Sequence, residues 1–288
     1  MTGTYLFYLC ITALAVIPLW LYSRISNDTP YLKGTKAVLV ALSFLVLYIP
    51  LVIRDISVGV DYIRYRDVFN TLLSSGIAGE EHLQWLGVPF IALVNILGPL
   101  VLNNYIIFYG LICFLGMTFL YAAILRSKIP WLSLLLFISF CLYFQMFNQM
   151  RQIIAICLIL YSIRFIQHRD GKKFALIMIV ASSFHMSSLI FIPMYFLSRI
   201  KITAKSLAIY LAIAILLPVI YPFVINIAAS TAYGATYFGS GYDQAFLLSV
   251  IQNLLVRITM ILSCLLLIRK TLLSTRSEER RVGKECRS

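Results

Sequence analysis

Long apolar runs, separated by short polar loops, account for most of the chain. About eight or nine runs of roughly 20 residues can be marked, and a helix of that length crosses the ~30 Å hydrocarbon core of a bilayer. Strand-like alternation does not extend over any useful length. The pattern predicts an all-α protein, a polytopic transmembrane helical bundle. The apolar runs lie at 4–22, 37–53, 84–102, 104–125, 130–147, 151–167, 174–197, 206–229 and 245–268.

The amino-acid composition agrees with a membrane protein and limits the kinds of binding partner that are expected. Of 288 residues, 61% are hydrophobic and 12% are charged, whereas soluble domains carry about 25% charged residues. The formal net charge of +13 comes mostly from short basic loops, which is typical of topology signals and of contact with membrane lipids. The sequence has neither zinc-finger spacing nor a long basic helix, so no nucleic-acid partner is expected. The six cysteines have no paired spacing, so neither a disulfide framework nor a metal site is expected.

Loop charges predict the topology. The loops 23–36, 126–129 and 164–173 are basic and are expected on the cytoplasmic side. The loop 54–82 instead mixes five acidic residues with three arginines, and we expect it on the outer face. Only one crossing then fits between 54–82 and 126–129. The run 84–102, which contains glycines and prolines, is therefore predicted to be a broken or interfacial segment.

The run 174–197 presents a second conflict, because basic loops precede and follow it. Its 24 residues would make about 36 Å of helix, enough for one crossing but not for two. Two arrangements remain open. Either the segment is a re-entrant hairpin with its tip near His185, or it is an ordinary span that obeys the charge rule weakly.

The C-terminal tail differs abruptly from the rest. Residues 1–275 are expected to form the integral membrane domain. Residues 276–288 resemble the translation of a short-read sequencing adapter and are expected to be non-native, so they are excluded from the fold. The natural protein is then expected to continue with one or more further spans.

The polar stretch after the second run is the first candidate for chemistry. Arg54 could bind a phosphate bidentately, and Asp61 could orient or deprotonate a sugar hydroxyl. Gly59 would permit a tight turn that brings Asp61 back toward the membrane. The alternative is an ordinary solvated loop with local ion pairs.

A second polar cluster opens the run 151–167. Asn148, Arg151 and Gln152 have the spacing of one helix face, which would suit a charged, hydroxyl-rich ligand. The alternative is a helix cap followed by an arginine that snorkels to the interface.

Two further ionisable residues lie inside apolar runs, where such residues are costly and are usually functional. His185, flanked by Ser182 and Ser188 at helical spacing, could act as a base or a hydrogen-bond donor near neutral pH. It could equally be a histidine bonded to a neighbouring helix. Arg257 lies in the middle of the last run and is either a site residue or the partner of a loop carboxylate.

Three stretches, in this order, resemble motifs of the EpsG family, which belongs with the Wzy-type polysaccharide polymerases. The chain departs from the expected pattern at Val60, where a threonine or serine is common. The resemblance covers about residues 1–270. The matching residues are Arg54, Val58, Gly59, Asp61, Tyr62, Tyr65 and Phe69, then Asn148, Arg151, Gln152 and Ala155, then Ala181, Phe184, His185, Ser187, Ser188 and Leu189.

The resemblance implies a multi-pass glycosyltransferase of the bacterial inner (plasma) membrane. It would join oligosaccharide repeat units carried on undecaprenyl diphosphate, with its active site toward the outer face and with a flippase and a chain-length regulator as further partners. The lipid diphosphate is the leaving group, so no cofactor is expected. This agrees with the lack of a P-loop or GxGxxG motif in the sequence.

The roles implied by the resemblance fall into two groups. Asp61, Arg151 and His185 would be catalytic, with either Asp61 or His185 as the base. The substrate-binding residues would be Arg54, Tyr62, Tyr65, Asn148, Gln152, Ser188 and Arg257.

Two other functions remain open for the same polar residues. A transporter of lipid-linked sugars would use them as a path through the membrane. A non-catalytic component of a capsule assembly complex would use them only to bind lipid. Polar motifs that converge at one depth favour the polymerase, whereas a path that reaches the inner face favours a transporter.

Overall fold

The computed structural model describes residues 2–25, 30–55, 57–75 and 88–199, together with Leu216, Ile220 and Phe223. The chain divides into two compact units, Met1–Lys201 and Ile202–Ser288. In the second unit only those three residues are described, and they are helical with exposed side chains. Arg257, the runs predicted at 206–229 and 245–268, and the tail 276–288 lie outside the described residues.

Every regular element within the described residues is a helix, which confirms the predicted all-α class. By length and composition four of them, α1, α2, α5 and α8, could each cross a membrane, as a polytopic bundle requires. A 3₁₀ helix, Met186–Phe191, separates α9 from α10. The α-helices are α1 (Thr2–Arg24), α2 (Pro30–Ile53), α3 (Val60–Ser75), α4 (Val88–Leu100), α5 (Tyr105–Ile124), α6 (Pro130–Ser139), α7 (Leu142–Gln145), α8 (Met150–Gln167), α9 (Gly171–Phe184) and α10 (Met194–Leu197).

Local sequence sets several of the helix starts. The Asn104 side chain accepts hydrogen bonds from the backbone N–H groups of Ile106 and Ile107 and so caps α5. The Asp170 side chain caps α9 in the same way through Lys173 N–H. Proline opens α6, where its missing N–H costs nothing.

The long helices pack through small and polar residues. The Ser43 hydroxyl lies 2.6 Å from the Ala15 carbonyl oxygen and 2.7 Å from the Tyr121 hydroxyl, which joins α1, α2 and α5. Gly116 lets α5 approach α8 closely, because a Cβ there would lie 3.2 Å from Ile154 Cγ1. Many large apolar side chains of α1 and α2 remain exposed, as expected for a surface that faces lipid.

Two predicted runs are shorter or more broken than a full span. Helix α4 has 13 residues, about 20 Å of helix, which fits the broken or interfacial segment predicted at 84–102. The run 130–147, predicted as one crossing, is divided instead. Helix α6 ends at Ser139, Cys141 has a left-handed backbone (φ 59°), and α7 has only four residues.

The segment 174–197 turns back on itself. Helix α9 ends at Phe184, and His185 is extended. After the 3₁₀ helix, Tyr195 stacks on Phe174 at 5.1 Å between ring centroids, and its hydroxyl donates to the Arg169 carbonyl. The chain therefore returns to the end from which α9 started, which is the re-entrant hairpin of the two arrangements left open by the sequence.

Candidate functional site

The three motif stretches lie at one end of the first unit, called the motif end below. Arg54 follows α2, Asp61 opens α3, Asn148 precedes α8, and His185 ends α9. Contacts between Arg54 and Phe147, between Asp61 and Asn148, and between Tyr65 and Arg151 join the first stretch to the second and to the turn before it. Basic residues mark the opposite end, called the basic end. They are Arg126, Arg164, Lys172, Lys173 and Arg199.

Arg54 lies against aromatic rings. Its guanidinium carbon is 3.9 Å from the centroid of Tyr62 and 4.5 Å from that of Tyr109, with Phe147 at 5.3 Å. Such cation–π contacts attract a guanidinium to the ring faces. Yet Nε and Nη1 are buried and have no hydrogen-bond partner among the described residues. A buried donor without a partner costs about 1–3 kcal/mol, and a charged one costs more, so these atoms are suited to an anion from outside the chain.

The loop before α3 docks on the turn before α8. Gly59 has φ +99°, and a Cβ at this position would lie 2.2 Å from the Phe147 carbonyl oxygen. Two residues later, the Asp61 backbone N–H donates to Asn148 Oδ1 at 2.8 Å. The tight turn expected at Gly59 therefore exists, and it brings the first turn of α3 against the second motif.

Arg151 connects α8 to α3. Its Nε donates to the Tyr65 hydroxyl at 3.2 Å, and its charge acts on both Asp61 and His185. Tyr65 is buried, whereas Arg151 and Asp61 are half-buried. The charge of Arg151 therefore acts on a carboxylate and on an imidazole that come from two other stretches of the chain.

The third motif occupies the tip of the hairpin. His185 is half-buried, and its carbonyl accepts the Ser188 N–H at 3.0 Å. The Ser188 hydroxyl is buried and has no hydrogen-bond partner among the described residues. The break at Phe184 thus exposes the histidine at the end of the helix and places a second polar group beside it.

Two carboxylates near the start of the first polar stretch, Asp55 and Asp61, have opposite environments. Hydrogen bonds from the Ser57 hydroxyl and backbone N–H lower the pKa of Asp55. Asp61 lies in α3, outside the four long apolar helices, and its partial burial raises its pKa, although the charges of Arg64 and Arg151 oppose the rise. A carboxylate whose pKa is raised is the better general base, so Asp61 is the stronger candidate of the two.

Some predicted site residues are placed differently from the expectation. Asn148 lies outside α8, which begins at Met150, so the three polar residues of the second motif do not share one helix face. Its side-chain oxygen instead receives the Asp61 N–H. Gln152 is half-buried in the first turn of α8, and Tyr62 is buried against Arg54.

Sequence reasoning missed the residues that surround Arg54. Tyr109 is buried in the apolar helix α5, and Phe147 lies just before the second motif. Neither residue differs in type or spacing from the many other aromatic residues of the chain, so no sequence signal could have singled them out. Among the described residues, no group of three His, Cys, Asp or Glu side chains could hold a metal ion.

Comparison with known families identifies the class. The EpsG family matches residues 37–285, which is most of the chain. The protein is therefore a multi-pass membrane protein that belongs to the EpsG family, as the three motifs suggested. This family is associated with polymerase activity in exopolysaccharide biosynthesis. Searches of curated proteins and of solved structures found no match.

Proposed function

We propose that the protein polymerises oligosaccharide repeat units carried on undecaprenyl diphosphate, at the outer face of the bacterial inner membrane. The convergence of Asp61, Arg151 and His185 at the motif end carries this proposal. The separation of the motif end from the basic end supports the outward orientation, since basic loops stay in the cytoplasm. Polar motifs gathered at one end also favour a polymerase over a transporter.

The chemistry needs a base and a cation, and the site offers both. The acceptor hydroxyl attacks the anomeric carbon of the donor sugar while the bond from that carbon to the phosphate oxygen breaks. The diphosphate leaves with the bonding electrons, and Arg151, with Arg54, stabilises its charge. Asp61 or His185 accepts the proton of the hydroxyl. The donor is activated by its own leaving group, so no nucleotide is needed.

The test is the length of surface polysaccharide. At unchanged protein level, Arg151→Ala or His185→Ala should collapse the ladder on a gel to single repeat units, because each removes a group worth about 10²-fold or more in rate. Arg126→Ala and His168→Ala are the matched controls, since both residues lie away from the motif end. Normal chain lengths in both site variants would remove the assignment.

A further inference from the structure

The Arg54 guanidinium contacts an aromatic ring from outside the three motifs. The two nearest rings, Tyr62 and Tyr109, are almost perpendicular (86°), with centroids 4.9 Å apart, and the guanidinium lies over both. Tyr62 belongs to the first motif. Tyr109 belongs to none of the three motifs and comes from α5.

Tyr109 also contacts the second motif. Its hydroxyl donates to the Met146 carbonyl at 2.6 Å, in the turn that leads to Asn148 and Arg151. Tyr109 is only 1% exposed, so its ring and hydroxyl are both fixed. A single side chain therefore touches the guanidinium of the first motif and the backbone of the second.

The contacts leave Arg54 able to bind an anion. A ring that lies against a guanidinium occupies its π surface and uses none of its N–H groups as conventional hydrogen-bond donors. The buried Nε and Nη1 remain without partners among the described residues. The Nε–H and the Nη1–H point in different directions, because the side-on pair of a guanidinium is Nε with Nη2, so each of the two would donate to a separate anion oxygen.

We propose that Tyr109 is a positioning residue, whose ring directs the free N–H groups of Arg54 toward an oxyanion of the diphosphate class. The inference rests on the proposed function for the identity of the substrate, but the anion site can be tested alone. Tyr109 itself does not touch the anion. It fixes the direction from which the anion is bound.

The test uses the purified full chain in lipid nanodiscs, with inorganic pyrophosphate as the probe and calorimetry as the measurement. Tyr109→Leu removes the ring and should weaken pyrophosphate binding about tenfold. Tyr109→Phe keeps the ring, loses the hydroxyl contacts with Met146 and Cys113, and should stay within about threefold of the wild type. If the leucine variant does not fold, Tyr109→Met provides the same comparison.

Tyr121 supplies the matched control. It is another buried tyrosine of α5, and its hydroxyl bonds to Ser43, 78 positions away in the sequence. Tyr121→Leu should leave pyrophosphate binding unchanged. Equal losses in Tyr109→Phe and Tyr109→Leu, equal losses in Tyr109→Leu and Tyr121→Leu, or no binding of pyrophosphate by the wild type would each overturn the inference.

Polymerisation gives a second measurement that separates this inference from the proposed function. With a lipid-linked donor, Tyr109→Leu should raise KM about tenfold and also lower kcat, since Arg54 contacts the diphosphate before the reaction and as it leaves. Normal polymerisation with no shift in KM would overturn the positioning role and leave the function standing. Ring-dependent pyrophosphate binding in a wild-type protein that makes no polymer would uphold the inference and refute the function.

Discussion

At the scale of single residues, the site depends on how Asp61 is surrounded. Partial burial raises its pKa, and the two arginines on either side of it, Arg64 and Arg151, act against that rise. Asp55, six residues earlier, is hydrogen-bonded to Ser57 and stays ionised to lower pH. Asp55 in the loop and Asp61 in the first turn of α3 are thus given different acidities by their neighbours.

This arrangement predicts the direction of a pH effect. Arg64→Gln removes a positive charge that favours the Asp61 carboxylate, so the pKa of Asp61 should rise further. If Asp61 is the base, the acid limb of kcat/KM against pH should move to higher pH, because the carboxylate must be deprotonated to act. The pH profile of polymerisation in nanodiscs measures this.

Arg66→Gln serves as the control for that experiment. Arg66 pairs with Asp67 at 3.3 Å, and its charge is not among those that act on Asp61. The acid limb of kcat/KM against pH should therefore not move in Arg66→Gln. An unmoved limb in Arg64→Gln as well would transfer the role of base to His185.

At the scale of elements, the loop between α2 and α3 depends on one glycine. The positive φ of Gly59 is a conformation that other residues adopt only at a cost of about 1–3 kcal/mol. The Phe147 carbonyl occupies the space that a side chain would need. The loop must therefore shift if any side chain is added, and the bond between Asp61 and Asn148 would be lost with it.

Gly59→Ala should accordingly lower the free energy of unfolding by about 2 kcal/mol or more and reduce activity strongly. Thermal unfolding in detergent measures the first effect. Gly34→Ala is the matched control, because it lies in α2 with nothing within 4 Å and should be neutral or slightly stabilising. Equal behaviour of the two variants would contradict the close approach described at Phe147.

At the scale of the whole molecule, the distribution of charge and the hairpin together define a topology. Arg126 and Lys128, the loop before α9 and Arg199 after it all belong to the basic end, while Asp55 and Ser57 belong to the motif end. Helix α9 has 14 residues, about 21 Å, and runs beside α8. That length brings His185 close to the level of Arg151 without a complete crossing.

Sandwich fusions of alkaline phosphatase, which is active only outside the cytoplasm, test this topology in the full chain. An insertion after Ser57 should be active, and one after Ser127 should be inactive. Insertions after Arg169 and after Arg199 should both be inactive, because the hairpin returns to its starting side. Opposite results at Arg169 and Arg199 would mean that the segment crosses the membrane once.

The sequence predicted much of this architecture. The features that it did not predict have physical causes. Apolar length identified the long helices, and loop charge revealed that 174–197 was anomalous. The sequence could not distinguish a hairpin from a span at 174–197, since the stacking of Tyr195 on Phe174 is a contact that no local pattern encodes. The break at Cys141 likewise depends on a left-handed residue without a glycine to mark it.

The sequence named the candidate site residues but not their contacts. Arg151 and His185 stand out because charged or polar groups are rare in such apolar surroundings, whereas Arg54 and Asp61 belong to the polar stretch that interrupts the apolar pattern. The partnership of Asn148 with the Asp61 backbone did not follow from helical spacing, because Asn148 precedes the helix. Tyr109 could not be found at all, since a tyrosine in an apolar helix is unremarkable without its neighbours.

The close contact between Gly59 and the Phe147 carbonyl has a consequence for protein engineering. The contact joins backbone to backbone, so it does not depend on which side chain stands at position 147. Chimaeras that take α1–α3 from one family member and the remainder from another should therefore keep this contact, provided that the donor of α1–α3 keeps the glycine and the recipient keeps the asparagine at position 148.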